Sequence, residues 1–319
     1  MQPASGGLRT RLCALAAMLL GLSATPQLIA APFAYSAMGD QGNELIEIDL
    51  ADGSIRTIGN FGAIGNIPLA DVEGMALDSK GRLFAVSDVA EVLLRIDVGS
   101  GAADSVGQLY GLGLRGQGFG PFNQLDVGLA FTCDGRLWMS SDAVNKLWEI
   151  EQTTGAALEV GSTGVKISGL AAYDNQLYGL GVDEDEGLYR IDRETGAATL
   201  IGRTGLPYAF YDAGLDFDAE GNLWATLDFN PPPSGRTQDY RVSEIVQIDV
   251  ETGLAGPPVL VQGPVTIEIE SLAIAPTACV DGTPPVDPEP IIVTTLDTAR
   301  LALLAGLLAL IGLVGLRRR

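Results

Sequence analysis

Short runs of alternating apolar and polar residues, broken by turns rich in Asp, Asn, Thr and Gly, fill most of the chain between residues 32 and 279. Alternation with period two marks strands that bury one face, and those turn residues mark where the strands reverse. Residues 187–202 show the pattern in full. Leu188, Tyr189 and Ile191 lead to Asp192, a polar turn closes on Gly196, and a second strand ends at Gly202. Residues 44–59, 92–107, 146–161 and 244–259 repeat it. Leu45, Leu93, Leu147, Leu188 and Ile245 share one column, and Ile48, Ile96, Ile150, Ile191 and Ile248 a second. The next columns are Asp49, Asp97, Glu151, Asp192 and Asp249, then Gly53, Gly101, Gly155, Gly196 and Gly253.

Four hairpins of another kind are interleaved at 74–88, 128–142, 169–183 and 214–228. Each opens on glycine, turns through Asp, Asn or Gly, resumes with Leu and an aromatic residue, and closes on Asp. The two kinds together make a four-stranded antiparallel module, with steps of 48, 54, 41 and 57 residues between the isoleucines of the second column. A four-stranded unit recurring near fifty residues is the pattern of propeller blades. The first module starts at 33–40 without an inner strand, and an orphan inner strand, 271–276, follows the last. Pairing these ends removes an open sheet edge. The chain is therefore predicted to be all-β, a five-bladed β-propeller over residues 32–279 closed by its N- and C-terminal strands. The repeated Leu-Tyr-x-Ile-Asp-x-x-Thr-Gly-x-x-x-x-Ile-Gly unit resembles that of a repeat family of exported bacterial propeller proteins, over nearly all of that span. This resemblance implies the fold and brings hardly any activity with it.

The repeated carboxylates Asp49, Asp97, Glu151, Asp192 and Asp249 could hold calcium. An Asp oxygen at such a turn also accepts backbone N–H groups two or three residues on, while the glycine takes positive φ. Five copies tied to hairpin periodicity favour the structural cap, and the Asp closing each second strand reads the same way. Residues 183–187, Asp-Glu-Asp-Glu-Gly, look superficially like a calcium loop, but the glycine falls one place early.

Both ends of the chain depart from the repeat. Arg9 and Arg11, the apolar run 12–24 and small residues near Ala30 and Ala31 predict a secretory signal peptide over residues 1–31. Residues 280–298 form a Pro- and acid-rich linker, and residues 299–319 a short transmembrane helix ending in Arg317, Arg318 and Arg319 on the cytoplasmic side. Linker, short polar motif, helix and arginine cluster together resemble bacterial C-terminal sorting signals read by exosortase-type membrane proteases, the Ile-Pro-Thr-Leu variety in particular. Thr295 and Leu296 match that motif; Thr294 stands where it has proline, and Ala299 where tryptophan is common. The resemblance implies a sorting protease as partner, and a plain tail anchor is the alternative. Either way the expected location is the cell envelope or the exterior, with the chain membrane-anchored at least transiently.

The charge of −21 sets aside nucleic acid and anionic membrane surfaces as partners, since both would repel it. The absence of histidine removes Ser-His-Asp and Cys-His catalysis and every His-ligated metal or haem. Beyond the signal peptide only Cys133 and Cys279 remain, enough for one disulfide in an oxidising compartment if the fold brings them together.

Chemistry is sought where the modules differ. At or just before the innermost strands stand Asp71 and Glu73, Asp126, Asp212, and Glu268 and Glu270, with Lys166, Ile167 and Ser168 in the fourth module. These positions surround one mouth of a propeller's axis. Such carboxylates could bind calcium, the one cofactor considered, act as an acid–base pair, or form a solvated rim. Loops 111–124, 204–214 and 229–241 carry Phe119, Phe122, Tyr208, Phe210, Tyr211 and Tyr240 to that region, suited to a carbohydrate or protein ligand. Two functions are expected: non-enzymatic binding, adhesion or matrix association, or a carboxylate-dependent hydrolase, a glycosidase or calcium-dependent lactonase, acting at the axial mouth.

Overall fold

The hairpin turns show why the repeat folds as it does. Asp192 Oδ1 accepts the amides of Glu194 and Thr195 at 2.8 and 2.9 Å, Gly196 donates to the Asp192 carbonyl, and Gly196 sits at φ +80°. The carboxylate thus ties down two amides while glycine takes the left-handed turn that a side chain would resist. On the preceding strand, Gly187–Ile191, every residue except Arg190 is buried.

A computed structural model describes residues 32–38, 43–120, 123–229, 243–262 and 268–279. The segments expected as signal peptide (1–31), linker (280–298) and membrane helix (299–319) lie outside the described residues. So do Thr295, Leu296, Arg317, Arg318, Arg319, Phe122 and Tyr240. Among the described residues no helix is long and apolar enough to cross a membrane; the helix found is the single 3-10 turn Asp183–Asp185.

Five antiparallel sheets form the blades of a propeller. The second blade comprises Val72–Leu77, Leu83–Ser87, Val92–Ile96 and Ala103–Val106, and the third Val127–Phe131, Leu137–Ser141, Lys146–Ile150 and Ala157–Ser162. The fourth comprises Ile167–Tyr173, Gln176–Gly181, Gly187–Ile191 and Ala198–Gly202, and the fifth Asp212–Phe217, Leu223–Asp228, Ser243–Ile248 and Val259–Leu260. The first has three consecutive strands, Phe33–Ala37, Glu44–Asp49 and Ile55–Asn60. Its inner edge is completed from the other end of the chain: Tyr35 and Ala273 exchange two backbone hydrogen bonds, 2.8 and 2.9 Å long. Ser36 and Ser271 add a side-chain contact of 3.1 Å beside them.

Apolar side chains fill the space between blades. Phe84 of the second blade meets Phe131 of the third edge-on at 5.4 Å, and Tyr178 of the fourth meets Phe217 of the fifth at the same distance. Trp138 and Trp148 are fully buried. At the axis the inner strands approach closely enough to require glycine. A methyl group on Gly128 would come within 2.2 Å of the Ser168 carbonyl, and one on Gly214 within 2.5 Å of the Ser271 carbonyl carbon. The axial space lined by Gly74, Gly128, Gly169, Gly214 and Ser271 is too narrow for a water molecule.

Past the closing segment, Thr277 Oγ donates to the Phe131 carbonyl, the Asp174 amide donates to the Ala278 carbonyl, and Cys279 is disulfide-bonded to Cys133 with Cα atoms 5.8 Å apart. The segment that closes the first blade is thereby fastened to the third and fourth.

Candidate functional site

Inner strands start, and second strands end, on one face of the ring; the Asp-x-x-Thr-Gly turns lie on the other. Strand register defines equivalent positions at this mouth. Val72 pairs with Ser87, Val127 with Ser141, Ile167 with Gly181, and Ala213 with Leu227. The residues just before on the inner strands are Asp71, Asp126, Lys166 and Asp212. Those just after on the second strands are Asp88, Asp142, Val182 and Asp228. Amides of Asp88, Asp142 and Val182 donate to the carbonyls of Asp71, Asp126 and Lys166, which fixes this alignment. Three blades thus face acid to acid, whereas the fourth places a lysine opposite a valine.

Glu73 and Ser168 stand at register shifts of the inner strands: Glu73 pairs with Val86 just before the unpaired Gly74, and Ser168 is itself unpaired. An added residue is pushed out of the ladder and re-aimed. Both reach the next blade: Glu73 Oε2 accepts the Val127 amide at 2.7 Å, and Ser168 Oγ donates to Asp212 Oδ1. Asp88 Oδ2 accepts the Leu125 amide at 2.6 Å, while Asp88 Oδ1 is buried without a hydrogen-bond partner. One carboxylate oxygen from each of Asp71, Glu73 and Asp88 falls within 4.8 Å of the others.

Crowding of acids in a desolvated mouth favours their protonated forms. Burial, then the charges of Asp126, Asp88, Asp71 and Asp212, push Glu73 well above the usual carboxylate range. Asp88 is pushed up to about 8, first by burial and then by Asp71 and Asp126, against the Leu125 hydrogen bond. Asp142 is likewise pushed up to about 8 by burial and Asp126, with Lys166 opposing. Asp212 is raised well above its ordinary value by burial, Asp142 and Asp126.

The remaining residues singled out in the sequence lie outside the Asp71–Glu73–Asp88 triad. Glu268 is half-buried, and Glu270 is buried and lines the axial space together with Gly74 and Ala213. Asp49, Asp97, Glu151, Asp192 and Asp249 accept backbone amides two or three residues on, at the opposite face. The 183–187 segment is consumed by local contacts: Asp183 binds the Lys166 ammonium at 2.8 Å, Asp185 accepts the Lys166 amide, and Glu186 accepts the Thr204 amide. Among the loop aromatics Phe210 is buried, Tyr208 packs into the fifth-blade core, and Phe119 and Tyr211 are exposed.

Asp88 and Asp142 were expected as turn caps and are instead buried members of the mouth. Their sequence signal is the Ser-Asp ending of both second strands, Ser87-Asp88 and Ser141-Asp142, where the fourth and fifth have apolar Val182 and Leu227 before the acid.

A family model described as a repeat of unknown function (DUF6923) matches residues 83–226, from the second blade into the fifth. No curated protein matches the chain in sequence. Solved structures are similar at low identity. A chain of a nidogen/laminin complex is 11% identical with a TM-score of 0.45, covering 78% of this chain and 99% of that one. Regucalcin of Agrobacterium tumefaciens, described as a calcium-binding protein, is 16% identical with a TM-score of 0.42, covering 76% and 78%. A gluconolactonase of Xanthomonas campestris is 14% identical with a TM-score of 0.42, covering 74% and 83%.

Proposed function

We propose that this protein is an exported, non-enzymatic binding propeller of the cell envelope or exterior whose mouth is organised by calcium at Asp71, Glu73 and Asp88. The observation that carries the reading is the triad itself: three carboxylates closing to within 4.8 Å, one of them holding a buried oxygen with no hydrogen-bond partner. Calcium holds oxygens at about 2.3–2.6 Å, so ligands on opposite sides of the ion stand just under 5 Å apart. An all-oxygen set without imidazole or thiolate selects a hard cation over zinc or copper. The packed axis supports binding at the mouth over passage of a substrate through the ring. The basic-apolar start and the apolar, arginine-ended finish of the sequence support export and at least transient anchoring, with a sorting protease as partner and a carbohydrate or protein as ligand.

Calorimetric titration of the calcium-free protein tests this. Saturable heat with one calcium per chain, lost in Asp88→Asn, is the expected result, and its absence in the wild type removes the proposal. A second reading, a carboxylate-dependent glycosidase or lactonase, is favoured by one observation. Asp142 is pushed up to about 8, first by burial and then by the charge of Asp126, so it would hold a proton at neutral pH, as a general acid must. Turnover of aryl glycosides or lactones that disappears in Asp142→Asn would put this reading in place of the first.

A further inference from the structure

The same mouth has a second acidic side, and it differs from the calcium triad. Asp142 donates its amide to the Asp126 carbonyl at 3.3 Å in the third blade, and Asp212 of the fifth is held by Ser168 of the fourth, which puts the three acids on the same mouth. Among the described residues the triad that closes to metal-ligand spacing is Asp71, Glu73 and Asp88. Asp142 is only 8% exposed, and its Oδ1 is buried without a hydrogen-bond partner. A buried carboxylate oxygen left unpaired is costly unless something pairs with it.

The fourth blade shows what the fold accepts at this ring. Its equivalent of Asp71, Asp126 and Asp212 is Lys166, whose ammonium binds Asp183 at 2.8 Å and Glu184 at 3.2 Å. That ammonium is committed to those two acids, and the Asp142 oxygen stays unpaired. We propose that Asp126, Asp142 and Asp212 form a subsite for a primary ammonium group carried by a ligand. An ammonium donates along separate N–H bonds to acceptors near 2.8–3.0 Å, and so tolerates carboxylates too widely spaced for calcium. Tyr211, next to Asp212 in the chain, is exposed, and a tyrosine ring at such a position is the kind of surface that receives an alkylammonium. The net charge of −21 would draw such a ligand in. This subsite goes beyond the calcium reading and does not depend on Asp88.

An alkylammonium reaches the protein either as a free polyamine or as a lysine side chain. Titrations of the calcium-loaded full chain with spermidine and with an N-acetylated, C-amidated Gly-Lys-Gly peptide, at physiological salt, separate the two sources. At least one probe should bind saturably, weaken tenfold or more in Asp142→Asn and in Asp126→Asn, and keep its affinity in Glu194→Gln, which removes a remote exposed charge. The probe that binds names the source. Asp88→Asn should abolish the calcium response and leave the ammonium response, so each proposal can fail alone. Two variants guard against one failing to fold, with melting curves as the check. Equal binding in wild type, Asp142→Asn and Asp126→Asn, or no saturable binding of either probe, overturns the subsite.

Discussion

Gly161 lies directly against the carbonyl of Thr195: a methyl group on Gly161 would stand 2.1 Å from that oxygen. The contact joins the outer strand of the third blade to the Asp-x-x-Thr-Gly turn of the fourth. It recurs around the ring, with Gly59 against Ser100, Gly107 against Thr154, and Gly202 against Thr252, each at 2.0 Å. The circle closes where Gly53 meets the Leu260 carbonyl at 2.2 Å. Both glycine columns of the repeat therefore serve contacts between blades. Gly161→Ala or Gly202→Ala should cost about 2–4 kcal/mol, since backbone cannot retreat as a flexible side chain can. Gly99→Ala, whose methyl group would meet only Asp97 Oδ1 at 3.4 Å, should fall within about 0.5 kcal/mol of wild type. Urea unfolding of the three variants makes the comparison, and equal stabilities would refute the seam.

The ring and its blade count were legible because their signals are local. Asp192, two apolar columns and Gly196 specify a hairpin whatever surrounds it. The mouth was legible only in part. Counting back from Gly74, Gly128, Gly169 and Gly214 aligns Glu73 with Val127, Ser168 and Ala213. The ladder instead aligns Asp71 with Asp126, Lys166 and Asp212, because the inner strands of the second and fourth blades each carry one extra residue at a register shift. Such a shift costs no change in composition and leaves no mark in a column of letters. Asp88 and Asp142 were hidden differently. Their own hairpins make them turn acids; the neighbouring blade and the opposing Asp71 and Asp126 make them buried carboxylates.

Closure of the ring should depend on the disulfide more than on the single Tyr35–Ala273 bridge. Cys133 and Cys279 are 146 residues apart in sequence, so the bond removes a long loop from the unfolded chain. Cys133→Ser combined with Cys279→Ser should cost about 2–5 kcal/mol. The Tyr35 and Ala273 amides, which donate across the closing bridge, should then exchange with solvent sooner than those of the second to fourth blades. Unchanged exchange at both amides after reduction would show that the closing segment holds without the bond.

In calcium-free solution the protein should lose stability as pH rises from about 4 to 8. Asp142 is raised to about 8 and Asp216, half-buried and accepting the Ile274 amide of the closing segment, to about 7, while the unfolded chain releases these protons near pH 4. Across that window the folded state holds more protons than the unfolded one, so stability falls with pH, by up to about 1.4 kcal/mol per unit for each proton retained. The benefit is fully present below the unfolded value and gone above the folded one. Asp97, Asp192 and Asp249 are held low by hydrogen bonds at their turns, so their contribution runs the other way, present above about pH 4 and lost below it. Urea unfolding in EDTA at pH 5, 7 and 9 should give decreasing free energies. A rise across the series would contradict the desolvated mouth.

Asp88→Asn should change the sign of its effect with calcium. Without the ion, the variant removes a crowded acid, 1% exposed, facing Asp71 and Glu73, while asparagine keeps an oxygen for the Leu125 amide. Relief of that repulsion should stabilise it by about 1–3 kcal/mol at pH 8, where the wild-type acid has to ionise or keep its proton against solution. With calcium at a hundred times its dissociation constant the wild type gains about 2.7 kcal/mol through binding, and a variant lacking one of three charged ligands gains little. The melting temperature of Asp88→Asn should therefore lie above wild type in EDTA and below it in millimolar calcium. A variant less stable under both conditions would mean that Asp88 acts chiefly as a hydrogen-bonded strut for the 125–127 segment, and that the metal lies elsewhere or nowhere in the mouth. A variant more stable under both would leave the repulsion intact as a finding and remove the ion from it.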